Sequence, residues 1–179
     1  IIPLNIGMAA TRNPEYARLW AEVTAKEIRS VGIRWNFTPV LDIGRQPLWS
    51  RFSETYGEDV FITKTFGSMA VKGYEGDGNL LPVNRVAACM KHYLGYSYPA
   101  SGKDRSPAYL PEIQIREYYL PSFKAAIEAG AHTLMVNSAE INGMPIHASR
   151  YWLTDVLRNE LGFKGLIVTD WGDIKKLYT

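Results

Sequence analysis

The feature that most constrains this chain is an alternation. Short apolar segments suited to strands take turns with longer stretches whose apolar residues recur at helical spacing, and polar residues follow nearly every strand-like segment. Strands are predicted over residues 33–40, 86–94, 132–136 and 165–169, with 2–6 a candidate fifth. Helices are predicted from Pro14 to near Gly32 and over 61–74, 111–129 and 151–160. Asn13-Pro14-Glu15 offers a cap, a proline at the first helical position and a first-turn acid, while Gly32, Gly76, Gly130 and Gly162 stop the four helices. Loops are predicted over 41–59, 96–111 and 141–148.

Strand–helix alternation with apolar strands specifies a parallel sheet. The polar residues after the strands are Asp42, Lys91-His92, Asn137-Ser138 and Asp170. They gather at one edge of such a sheet, where (β/α)8 barrels carry their active sites. A doubly wound sheet also places its site at strand C-termini. However, Gly76-Asp77-Gly78 and the glycines at 162 and 165 lack the spacing and context of a phosphate-binding fingerprint. The fold class read from this pattern is α/β, a (β/α)8 TIM-barrel-like domain over residues 1–179 that is incomplete. A full barrel takes roughly 250 residues, and this chain supplies about five-eighths of the strands.

Other classes fit less well. The formal net charge is +2 and Lys and Arg are dispersed, which excludes a nucleic-acid footprint. No apolar run is long enough for a membrane span. Ile1-Ile2-Pro3-Leu4 has neither a basic leader nor a cleavage motif and reads as a start within a longer sequence. The single cysteine, Cys89, sits in the apolar run Val86-Ala87-Ala88-Cys89-Met90 and reads as a buried, inert thiol. His92, His132 and His147 are scattered, so no metal site is expected, and no cofactor motif is present.

Several residues can carry chemistry. Asp170, directly after the strand ending Val168-Thr169, is placed either as a carboxylate at the barrel rim or as a helix cap for the residues from Ile174 on. Asp173 is a rival that looks more like a first-turn helix acid. Lys91 and His92 are donors at a strand end, although alternation would send only one of them inward unless the strand ends there. Lys91 could also serve as a Schiff-base lysine in a barrel lyase or aldolase. Arg51 can fork onto vicinal hydroxyls or pair with Glu54. Asp104-Arg105 carries little signal by itself.

Together these segments resemble glycoside hydrolase family 3 along essentially the whole chain. The resemblance runs through Ile6-Gly7-Met8-Ala9-Ala10-Thr11-Arg12-Asn13-Pro14-Glu15, Phe37-Thr38-Pro39-Val40-Leu41-Asp42 and Pro47-Leu48-Trp49-Ser50-Arg51. It continues through Met90-Lys91-His92-Tyr93, Ile141-Asn142-Gly143-Met144-Pro145-Ile146-His147-Ala148 and Gly165-Leu166-Ile167-Val168-Thr169-Asp170-Trp171. The Lys-His pair and the Thr-Asp-Trp ending are specific in combination. The resemblance implies Asp170 as nucleophile, Lys91, His92 and Arg51 as sugar-hydroxyl ligands, Glu54 as the loop glutamate, and Trp171 flanking the sugar.

The departures also matter. Arg45-Gln46-Pro47-Leu48-Trp49-Ser50-Arg51 stands where the family commonly has Arg-Asp-Pro-Arg-Trp-Gly-Arg, and Ser138 stands near a position often held by Tyr. The stretch Lys91-His92-Tyr93-Leu94-Gly95-Tyr96-Ser97 lacks the loop histidine of the N-acetylglucosaminidase branch. The family's upstream hydroxyl-binding Asp and its acid/base glutamate are not in this chain. The resemblance thus implies a partial catalytic domain, with the remainder of the barrel and a following α/β sandwich domain absent. By itself the fragment is expected to be inactive. The implied activity is exo-acting, retaining β-glucosidase-like hydrolysis of oligosaccharides or β-glucosides, in the service of polysaccharide degradation. A secreted or periplasmic location fits that role. A non-catalytic carbohydrate-binding relative is the other alternative.

Overall fold

A computed structural model describes residues 3–78 and 81–178. In chain order the elements are α1 (Asn5–Ala10), α2 (Pro14–Ser30), β1 (Trp35–Asn36), α3 (Val60–Glu75), β2 (Ala87–Tyr93), α4 (Glu112–Gln114) and α5 (Leu120–Glu128). They continue with β3 (Thr133–Val136), β4 (Glu140–Ile141), β5 (Met144–Pro145), a π-wound helix Tyr151–Glu160, and β6 (Leu166–Val168). A π-wound segment, Ile115–Tyr119, joins α4 to α5, so the helix predicted over 111–129 is one continuous rod.

Strands β1, β2, β3 and β6 form one parallel sheet in that order. Helix α2 packs on α3 and α3 on α5, so the helices follow the strands in the same sequence. Strand order that tracks chain order, with no reversal, builds a barrel wall; a doubly wound sheet reverses at its switch point. Among the described residues the sheet is open, with β1 and β6 outermost, and no closed barrel forms.

Local chemistry explains the elements. Asn13 accepts the Glu15 amide at 3.1 Å and Pro14 opens α2, as its sequence predicts. Ala17, Ala21 and Ala25 recur every four residues and make a flat buried seam against α3. The seam is so close that a methyl group at Gly73 would run into the Arg18 carbonyl. Asp59 caps α3 by accepting the Ile62 amide at 2.9 Å. The layer between sheet and helices is filled by Leu41, Met90, Leu134 and Phe123, all essentially inaccessible.

Three expectations are corrected. Residues 5–10 form α1, not part of a fifth strand, because helical winding buries Met8 and Ala9 together; Ile2 of that candidate strand lies outside the described residues. The strand predicted over 33–40 is a ladder only at Trp35 and Asn36. Pro39 has no amide to give, and regular pairing returns as a bridge between Val40 and Lys91. The segment still runs beside β2, with Cys89 donating to Thr38 and Lys91 to Pro39. Finally, the loop predicted over 141–148 contains the β4–β5 hairpin. Asn142 and Gly143 both take positive φ, 53° and 79°, as a tight two-residue turn requires.

Candidate active site

A cavity of about 530 Å³ opens at the C-terminal ends of the strands, lined by Arg51, Lys91, His92, Arg105, Asp170 and Trp171 over a floor of Phe37 and Met135. Four of the residues singled out in the sequence, together with Trp171, therefore meet in one place. Glu54 does not line it; it stands behind Arg51.

Lys91 and His92 are successive residues of β2, yet both reach the cavity. The register between β2 and β3 shifts between Met90 and Tyr93, so simple alternation does not hold there. Asp42 fixes His92 from below. Its Oδ2 accepts the His92 amide at 3.1 Å and the ring Nδ1 at 2.8 Å, with both side chains 1% exposed. A ring that gives Nδ1–H to Asp42 presents a bare Nε2 on its other side. Arg51 Nη2 lies 3.3 Å from that nitrogen, and Asp170 Oδ2 lies 3.9 Å from it.

Arg51 is held by a two-point pair with Glu54, Nε to Oε1 at 2.9 Å and Nη2 to Oε2 at 2.8 Å. Burial pulls the Arg51 guanidinium down, but Glu54 more than offsets this and its pKa is raised. The same hydrogen bond, outweighing partial burial, holds the Glu54 carboxyl below its ordinary value. Among the described residues Lys91 has no such partner: burial, and then the charge of Arg51, push its ammonium below the usual lysine range. Cys89, one layer deeper, is inaccessible and pushed up to about 11 by burial, as expected of an inert thiol.

Asp170 is not a helix cap. The helical turn that follows, Asp173–Leu177, starts from Gly172. The Asp170 side chain is 14% exposed, and its Oδ1 accepts the Trp171 amide at 2.5 Å and faces Arg105 Nη2 at 3.4 Å. Arg105, which carries little signal in the sequence, is the residue the structure adds to the site. It comes from the long loop between β2 and α4, and its only advance signal was its charge. Trp171 is 87% exposed and presents an aromatic face at the mouth. Among the described residues no three His, Cys, Asp or Glu side chains come together as metal ligands.

A parallel α/β sheet with one carboxylate set among arginine, lysine and histidine at its C-terminal edge is the arrangement of a barrel-type active site. The family model described as "Glycosyl hydrolase family 3 N terminal domain" matches residues 1–179, and the chain belongs to that family. It is 52% identical over 182 residues to the "Lysosomal beta glucosidase" of Dictyostelium discoideum, covering 99% of this chain and 22% of that protein. Its fold matches a β-glucosidase structure from Erythrobacter marinus with a TM-score of 0.96 at 38% identity, covering 98% of this chain and 24% of the other. The β-glucosidase from Listeria innocua in complex with glucose matches with a TM-score of 0.95 at 32% identity, covering 99% and 25%. The chain thus spans about a quarter of the length of the relatives it matches.

Proposed function

We propose that the full-length protein is an exo-acting, retaining β-glycosidase of β-glucosidase type, and that residues 1–179 are a partial (β/α)8 catalytic domain within it. The remainder of the barrel and a following α/β sandwich domain would complete the enzyme, and the general acid/base would come from outside these residues. In this reading the 179-residue piece alone is inactive. The observation that carries the proposal is the seating of Asp170: a carboxylate at the edge of a cavity whose other polar walls are Arg51, Lys91, His92 and Arg105.

The chemistry follows from that seating. An Asp170 carboxylate oxygen attacks the anomeric carbon and forms a glycosyl ester while the glycosidic C–O bond breaks. The departing oxygen takes a proton from the acid/base. Water, deprotonated by the same group, then releases the sugar with its configuration retained; the two carboxyl groups of such enzymes stand about 5–5.5 Å apart. Lys91, His92 and Arg51 bind hydroxyls of the terminal sugar, Glu54 orients Arg51, Trp171 stacks on the sugar face, and Arg105 holds Asp170 turned toward the cavity. The substrate class, β-glucosides or oligosaccharides, is supported by the names of the relatives and by the glucose bound in one of them.

The test is to incubate the full-length protein with an activated 2-deoxy-2-fluoro-β-glucoside and map the labelled peptide by mass spectrometry. A fluoroglucosyl adduct on Asp170 is expected. An adduct on another carboxylate, or turnover of β-glucosides with Asp170 replaced by alanine, would sink the assignment.

A further inference from the structure

Asp173 is 3% exposed, yet it takes no part in the cavity just described. It lies three residues after Asp170, makes three hydrogen bonds and faces a fourth polar group. Its Oδ1 accepts from Ser138 Oγ at 2.9 Å and from Lys176 Nζ at 2.6 Å. Its amide donates to the Asp170 carbonyl at 3.4 Å, and its Oδ2 faces His147 Nε2 at 3.7 Å. Ser138 comes from the end of β3, and His147 from the helical turn after β5.

The turn that displays Asp170 has little else to hold it. Trp171 is almost fully exposed, and Gly172, at φ 68°, has no side chain. A carboxylate acting on an anomeric carbon needs its oxygen placed to within a fraction of an ångström. Asp173 is the first residue after Asp170 whose side chain is buried, and it is bonded to a neighbouring strand end. We infer that Asp173 is a positioning residue: anchored by Ser138 and Lys176, it fixes the turn that aims Asp170 into the cavity. A first-turn helix acid needs none of these partners. Asp170 and Arg105 also flank this cluster, and Glu140 lies beside it.

The inference rests on Asp170 as the nucleophile, and its test separates the two. In the full-length protein, inactivation by the fluoroglucoside is measured for wild type, Asp173→Ala, Asp173→Asn and Ser138→Ala. Asp173→Ala is expected to slow the saturated inactivation rate roughly 100-fold, with the half-saturating concentration nearly unchanged, because aim and not affinity is lost. Asp173→Asn keeps an acceptor for Ser138 and recovers most of that rate. Ser138→Ala removes one anchor, loses roughly tenfold, and keeps the question open to measurement should Asp173→Ala not fold.

A wild-type rate in Asp173→Ala would overturn the inference. So would rate, affinity and melting temperature falling together, and so would an Asn variant as slow as Ala. Crystal structures of wild type and Asp173→Asn or Asp173→Ala decide the matter apart from activity. A shifted Asp170 carboxylate in the alanine variant, restored in the asparagine variant, supports positioning; an unmoved one ends it. A wild-type protein that takes no label sinks the glycosidase reading alone.

Discussion

The two ends of the sheet carry the same device for different purposes. At the C-terminal end, Asp42 accepts both the backbone amide and the ring nitrogen of His92. At the N-terminal end, Glu75 accepts the amides of Ala88 at 2.7 Å and His132 at 3.1 Å and also binds the His132 ring. Both are buried carboxylates gripping a histidine on the strand edge. The difference lies beyond the ring. His92 is enclosed, and its far nitrogen meets Arg51 and Asp170 in the cavity. The His132 side chain is 40% exposed and, among the described residues, meets no comparable group. Glu75 therefore staples the starts of β2 and β3, while Asp42 aims a tool. In barrels, conservation of function sits at the C-terminal rim and conservation of stability at the other.

The sharpest way to break this comparison is at Asp170. Asp170→Asn in the full-length protein is expected to lower kcat on the order of 10⁴-fold or more while leaving the denaturation midpoint near wild type. A turnover loss accompanied by a large loss of stability would mean the two rims are not separable. The reverse experiment is Glu75→Ala. It leaves the buried Ala88 amide and the part-buried His132 amide without an acceptor and should cost about 3 kcal/mol in urea unfolding, with kcat of the folded fraction unchanged. A specific loss of kcat without destabilisation would place Glu75 with the site instead of the staple.

This contrast also marks what could be read in advance. The parallel order of strands and helices was legible because apolar periodicity and glycine stops are local signals. Asp170, Lys91 and His92 were legible because they close strands. The hairpin at Asn142-Gly143 carried its turn signal openly and was passed over because its strands are two residues long. The winding of residues 115–119 and 151–160 as π-helix left no mark in the apolar pattern. Arg105 was illegible for a different reason: it enters from a long loop with no periodicity, and only tertiary folding brings it within 3.4 Å of Asp170. Glu54 was legible as a partner for Arg51, but a three-residue spacing does not say which of the two faces the cavity.

A middle-sized effect is expected where function and stability oppose each other in one side chain. Lys91 is desolvated beside Arg51, and that environment disfavours its charge. A lysine with a depressed folded-state pKa weakens the fold most below that pKa, and the cost fades as pH rises toward the ordinary lysine value. Lys91→Met should thus raise the unfolding midpoint at neutral pH while lowering kcat/KM roughly 100-fold through lost hydroxyl contacts. Denaturation and kinetics on the same preparation check both signs. A variant that is less stable as well as less active would show that Lys91 is packed as part of the core.

The smallest expected effect concerns the support of Arg51. The Arg51 hydrogen bond holds the Glu54 carboxyl below its usual pKa. A carboxylate with a depressed folded pKa contributes its stability above the unfolded value, and the contribution is lost as pH falls through the folded one. Wild type should therefore lose a small part of its stability on acidification below the ordinary glutamate range, and Glu54→Gln should lack that part of the slope. The Glu54 side chain is 35% exposed, so solvent screening keeps the effect small. Arg51 would also be freed to move, and KM should rise more than kcat falls, since a ground-state hydroxyl contact is loosened without disturbing Asp170. Parallel pH slopes in wild type and Glu54→Gln, with an unchanged KM, would mean that Arg51 is placed by Trp49 and Tyr96, whose rings lie 5.9 and 5.6 Å from its guanidinium, and not by Glu54.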